Sequence, residues 1–162
     1  MIVSNTSTLI LLAKIGCLEK FVGVAPLIFI PLEVKREVLF KEGSYEARLI
    51  ERYIEEGKIK VFAVEKKEVE LLMGEFRLDE GEAAAFVMFD NKKHKILLTD
   101  DGELIKLCKL KNIPFVCAMA IIIRLYEKKV LSGKETLSKL EELYKVGRYS
   151  REIYEHFKME VK

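Results

Sequence analysis

Tryptophan and glutamine are absent from the 162 residues, and asparagine occurs three times, while lysine and glutamate dominate the polar positions. That bias is typical of hyperthermophile proteins. The three cysteines, Cys17, Cys108 and Cys117, are odd in number and never spaced C-x-x-C. This argues against a disulfide framework and a four-ligand zinc centre, and three buried thiols acting as small hydrophobes are expected. His94 and His156 are the only histidines and both lie among charges, so a Ser-His or Cys-His catalytic pair finds no setting; both are read as solvated surface residues. The chain lacks G-x-G-x-x-G and G-x-x-x-x-G-K-[ST]. This argues against dinucleotide and P-loop nucleotide binding. No strand combines surface aromatics with basic residues in the manner of an RNA-recognition sheet. No apolar run reaches the roughly 18–20 residues that span a bilayer; the longest, Val24 to Leu32, is broken by Pro26 and Pro31. No basic stretch precedes the first apolar segment, which Lys14 ends, so a signal peptide is not expected and a cytoplasmic address is.

Half of the residues are hydrophobic and a third are charged, the composition of a globular chain. The length suits one domain, which buries roughly two-thirds of its unfolded surface without staples. The net charge of +2 hides an asymmetry. Residues 106–162 carry 13 Lys/Arg against 7 Asp/Glu, and the preceding 105 carry 15 against 19. An acidic part followed by a basic one can set metal ligands beside a phosphate-binding rim, although basic residues also coat ordinary solvent-facing helices.

Short apolar strands are expected at 2–4, 27–30, 59–64, 96–99 and 114–117. Helices are expected at 8–15, 32–41, 44–56, 65–76, 78–90, 103–111, 118–131, 134–146 and 150–158, with a turn of helix at 18–22. The strands are continuous apolar runs alternating with helices. That pattern belongs to a mostly parallel sheet buried on both faces, a three-layer α/β/α domain with no linker or repeat. The C-terminal helices begin at about 118 within the same domain.

Ligands of open parallel sheets bind beyond the carboxyl ends of the strands. The first strand delivers Asn5, Thr6 and Ser7 there, and the fourth delivers Thr99, Asp100 and Asp101; the fifth ends in Cys117 and Ala118 with no polar side chain. Glu37 flanks the Val34/Val38 face of its helix, at the border of core and solvent, where a carboxylate is costly without a cation. Glu82, with Asp79 and Glu80, opens an all-apolar alanine helix whose positive end favours carboxylates. Asp79 and Glu80 also read as a cap pair, and Asp100-Asp101-Gly102 as a capped turn.

Taken in order, Ile2-Val-Ser-Asn-Thr-Ser-Thr-Leu9, Pro31-Leu-Glu-Val-Lys-Arg-Glu37, Asp79-Glu-Gly-Glu-Ala83 and Leu97-Leu-Thr-Asp-Asp101 resemble the PIN domain, the nuclease domain of VapC-type toxins. The likeness lies nearest a poorly characterised archaeal and bacterial branch. It implies a PIN-like α/β/α fold and a Mg²⁺- or Mn²⁺-dependent endoribonuclease. The family's acidic positions fall on Asn5, Glu37, Glu82 and the Asp100-Asp101 pair, spacing favouring Asp101, and its small hydroxyl residue on Ser7. These are the implied catalytic and metal-binding residues, with Ser7 and Thr99 beside the substrate. RNA is the implied substrate, a small antitoxin protein and a homodimer the implied partners; Ala118 to Ile123 could supply the dimer interface or belong to the core. Asn5 stands where the family usually has aspartate. An amide oxygen can bind a hard cation but brings no charge, so the alternative is a PIN-like module that binds RNA or a partner protein without cutting. A phosphatase-like or receiver-like domain would share an acidic strand end but lacks its further signatures here.

Overall fold

The computed structural model describes residues 1–41 and 43–162. Five short strands, β1 (Ile2–Ser4), β2 (Ile28–Pro31), β3 (Ile59–Phe62), β4 (Leu97–Leu98) and β5 (Phe115–Val116), form one sheet in the order β3-β2-β1-β4-β5. Every pairing is parallel, with Ile2 against Ile28, Val3 against Leu97 and Leu98 against Val116 in register. The expected three-layer α/β/α arrangement is present, with a wholly parallel sheet.

The alternation of side chains along each strand splits the core in two. Ile2, Ile28, Ile30 and Leu98 face one layer, made of α1 (Thr6–Lys14), α2 (Leu18–Val24), α3 (Leu32–Phe40), α4 (Tyr45–Glu55), α8 (Ala118–Glu127) and α9 (Gly133–Val146). Val3 and Leu97 face the other, made of α5 (Lys66–Glu75), α6 (Glu80–Met88) and α7 (Gly102–Leu110). A last helix, α10 (Arg151–Lys158), lies on α9 and has no buried residue. Ala83, Ala84 and Ala85 of α6 are wholly buried, which lets that helix lie close on the sheet.

Local chemistry sets the ends of these elements. Gly16 and Gly57 stop α1 and α4 at φ of +71° and +75°, conformations that suit glycine. Helix α8 ends at Glu127, short of the expected 131, because Lys129 takes φ of 60° and Val130 N–H turns back to the Leu125 carbonyl. Met119, Ile121, Ile122 and Ile123 are buried, so this apolar stretch is core and leaves no exposed face for a dimer. Cys17 and Cys108 are buried as expected and Cys117 partly so. His94, expected as a solvated surface residue, is partly buried. Its Nδ1 accepts Asp90 N–H at 3.0 Å and its ring packs edge-on against Phe29. No helix among the described residues is long and apolar enough to cross a membrane.

The strand order positions the site. The chain moves outward from β1 to β2 and β3, then returns to the far side of β1 as β4. The β1–β4 boundary is thus the switch point at which the loops diverge and leave a crevice.

Candidate active site

Two turns meet at that crevice and are tied by a hydrogen-bond chain. Asn5, at the start of α1, is 2% exposed. Its Nδ2 donates to Thr99 Oγ1 at 2.9 Å, and its Oδ1 accepts from Ser7 Oγ at 2.8 Å. Ser7 Oγ in turn accepts Asp100 N–H at 3.0 Å, and Thr99 Oγ1 accepts Asp101 N–H at 3.1 Å. The side chains of the first turn therefore hold the backbone of the second. Thr6 and Ser7 donate to Glu37 and Asn5 and leave the α1 N-terminus without a side-chain cap. Thr99, expected beside the substrate, is wholly buried and stands behind the crevice, so it cannot touch a ligand.

Asp100 is engaged on both oxygens. Its Oδ1 accepts from Thr8 Oγ1 at 2.6 Å and from Ala118 N–H at 3.0 Å, and its Oδ2 accepts from the Tyr149 hydroxyl. One carboxylate so joins α1, the head of α8 and the segment between α9 and α10. Burial pushes its carboxyl above the usual range, and the bonds from Thr8, Tyr149 and Ala118 pull it part of the way back. Burial and then the Asp100 charge push the Tyr149 phenol far up, so it stays protonated and donates. Tyr149→Phe is expected to destabilise the fold by about 1–3 kcal/mol, because Asp100 Oδ2 loses its main donor; urea unfolding of the two proteins measures this.

Across the crevice stand the carboxylates of α3 and α6. Glu37 Oε2 accepts from Thr6 Oγ1 at 2.7 Å. A Cβ on Gly81 would lie 1.8 Å from Glu37 Oε1, so the absence of a side chain there admits Glu37. Asp79 and Glu82 form a reciprocal cap on α6: Asp79 Oδ1 accepts Glu82 N–H at 2.8 Å, and Glu82 Oε2 accepts Asp79 N–H at 2.9 Å. Asp101 caps α7 through Oδ2, which accepts Leu104 N–H at 2.8 Å. Gly81→Ala is expected to displace Glu37, which sits at the free end of a flexible side chain. The stability loss should stay below about 1.5 kcal/mol, while any function that needs Glu37 is lost; denaturant melts beside an activity assay separate the two effects.

The electrostatics record crowding. Burial, then the charges of Asp79 and Asp101, push the Glu82 carboxyl up to about 8, and a hydrogen bond with Asp101 also favours its protonated form. Burial also raises Glu37, and the Asp79 charge adds to it, against the bonds from Thr6 and Gly81. Among the described residues no salt bridge joins Glu37, Asp79, Glu82, Asp100 or Asp101 to a lysine or arginine. Yet Lys14, Lys41, Lys109 and Arg148 line the same groove, a concavity of about 1320 Å³, and they too form no salt bridge among the described residues. Asn5, Ser7, Glu37, Asp79, Glu82, Asp100 and Asp101 all line it.

Oxygen donors of this kind suit a hard divalent cation, which keeps several waters and needs few carboxylates. Crowded carboxylates without a lysine or arginine partner are the chemistry such an ion relieves. Among the described residues no group of three or more His, Cys, Asp or Glu is arranged to hold a metal ion as it stands. The expected convergence of Asn5, Glu37, Glu82, Asp100 and Asp101 on one point is therefore a shared groove and not a closed ligand set. Asn5 and Asp100 are turned to their own hydrogen-bond partners.

The PIN-domain family model matches residues 1–162. The chain belongs to the PIN-domain family. No curated protein and no solved structure gave a match. PIN domains have a nuclease fold and are in general divalent-metal-dependent nucleases acting on RNA. Against that background, several residues of this PIN domain escaped the sequence reading. Tyr149 lies 49 positions from its partner Asp100 and carries no local signal. The donor at Ala118 is a backbone N–H, invisible in a list of side chains. Gly81, inside the Asp-Glu-Gly-Glu run whose Asp79 was read as a cap, is a glycine that faces a neighbouring helix.

Proposed function

We propose that the chain is a divalent-metal-dependent endoribonuclease that hydrolyses RNA phosphodiester bonds in this groove. One observation carries the reading: carboxylates and cations line a single crevice at the sheet's switch point, and neither set pairs with the other among the described residues. Opposite charges left apart in one groove suit a ligand that brings both signs, a phosphodiester strand with its metal ion.

Glu37, Glu82 and Asp101 are the residues that would hold Mg²⁺ or Mn²⁺, with Asp79 adding charge beside them. Asp101 is favoured over Asp100, whose oxygens are taken by Thr8, Ala118 and Tyr149. When bound, such a cation supplies polarisation of the scissile phosphate and a water acidic enough to attack it. Lys14, Lys41, Lys109 and Arg148 hold the flanking phosphates by charge. Asn5 and Ser7 fix the β1 turn against the β4 turn and so set the direction of Asp101.

The purified chain should cleave a single-stranded oligoribonucleotide in Mn²⁺ or Mg²⁺ and be inert in EDTA. Equal cleavage in EDTA would overturn the reading. A second reading, a module that binds RNA without cutting, is favoured by Asn5, which contributes no charge and whose two polar atoms are already occupied. Metal-independent, salt-sensitive RNA binding with no cleavage in either ion is its signature.

A further inference from the structure

Helix α10 is held in place at both ends, though none of its residues is fully buried. Before it, the Tyr149 hydroxyl is bonded to Asp100, and the Tyr149 ring lies over Gly147, where an added Cβ would come 2.6 Å from the ring. After it, the Lys162 carbonyl accepts from the Tyr126 hydroxyl at 3.0 Å. One flank of the helix rests on the core through Tyr154, whose ring stacks on Tyr144 at 4.4 Å, and through Phe157. The other flank is turned to the groove: Glu152, Ile153 and His156 line it at helical spacing, with Phe157 at the border of the two flanks. Ile153 is 44% exposed there, and the His156 ring stands edge-on to Phe157 at 5.6 Å.

This flank is unsuited to a phosphate. Its carboxylate, Glu152, repels anions, and its remaining surface is Ile153 and the rings of His156 and Phe157. The groove cations stand elsewhere, on α1 and α7, just after α3 in Lys41 and just before α10 in Arg148. Charge complementarity thus separates a strand into two parts, phosphates on the lysines and arginine and a planar apolar base on α10. Resting on the endoribonuclease reading above, we propose that α10 is a nucleobase-binding wall, with a base of single-stranded RNA lying against Ile153 and His156. A base can reach such a wall only when it is free of a duplex. Stacking on a side chain is sequence-tolerant and supplies affinity that the charged rim does not.

The test uses the full chain in EDTA, where no cleavage occurs, and follows fluorescence anisotropy with two labelled strands of equal length: an oligouridine ribonucleotide and an abasic ribose-phosphate strand. The wild type should bind the oligouridine about tenfold more tightly, within the range that one stacked base is worth. Ile153→Ser combined with His156→Ala should bring the two strands within about twofold and leave the abasic affinity unchanged. Both residues are exposed, and an unchanged melting curve shows that the variant is folded. Equal binding of the two strands by the wild type, or a base preference that survives in the double variant, overturns the proposal and spares the RNA reading. Failure of the wild type to bind either strand also overturns the proposal, while the endoribonuclease reading is decided separately by cleavage in Mn²⁺ or Mg²⁺. A double variant that changes oligomeric state and keeps its base preference assigns this flank to a second copy of the chain, which also overturns it.

Discussion

Glu37→Gln should lower metal-dependent RNA cleavage by at least about 100-fold, the upper range for losing a group that tunes a metal site, with little loss of fold. Glutamine keeps the acceptor for Thr6 and the volume that fits against Gly81. What disappears is one negative charge of a cluster already short of one, because Asn5 is an amide. Asp101→Asn should match it for a related reason, since asparagine can still cap α7 through Leu104 N–H while losing its charge. Initial rates in Mn²⁺, with circular dichroism to verify folding, give the comparison. Full activity in both variants would remove these carboxylates from the chemistry. The same fall for an exposed control such as Glu46→Gln would show that the assay reads stability.

Asn5→Asp should act in the opposite direction, tightening Mn²⁺ binding by about tenfold or more; about 1.4 kcal/mol of extra attraction suffices for tenfold, and a unit charge at close range supplies several at a protein-like dielectric. The local structure can take the change. Ser7 still donates to the new carboxylate. The Thr99 hydroxyl, which in the parent accepts from both the Asn5 amide and Asp101 N–H, can turn its hydrogen toward the second carboxylate oxygen and continue to accept from Asp101. Calorimetric titration of both proteins with Mn²⁺ reads the affinity, and the cleavage rate follows it. Gain of cleavage where the parent has none would identify a site weakened at this one position. An unchanged affinity would mean that residue 5 faces its hydrogen-bond partners and never the ion.

The architecture was legible because its signals are local and consistent. Uninterrupted β-branched and leucine runs mark buried parallel strands, and proline, glycine and serine mark the ends of the helices between them. The strand order is not written in any segment, and with it the knowledge that β1 and β4 are neighbours. Once they are paired, Asn5 and Thr99 come within hydrogen-bond distance. The acidic positions could be named from their residue types, yet their division of labour could not. Asp100 and Asp101 are adjacent and chemically alike, and only the places of Thr8, Ala118 and Tyr149 reveal that the first is a tie between elements. Thr99 read as a strand-end hydroxyl open to a ligand, but the closing of the two turns buried it. The basic charge of the C-terminal part was visible, while the turning of one flank of α10 to the groove depends on Tyr149 and the packing of Tyr154 on Tyr144.

The account stands on a divalent cation entering between α3, α6 and the β4 turn. A crystal soaked in Mn²⁺ and measured at the manganese absorption edge tests this most directly. The expected result is one anomalous peak bordered by Glu37, Glu82 and Asp101, which disappears in Glu37→Gln crystals soaked in the same way. A groove without a peak at saturating Mn²⁺, or one in which Lys41 or Arg148 has swung in to pair with these carboxylates, would contradict it.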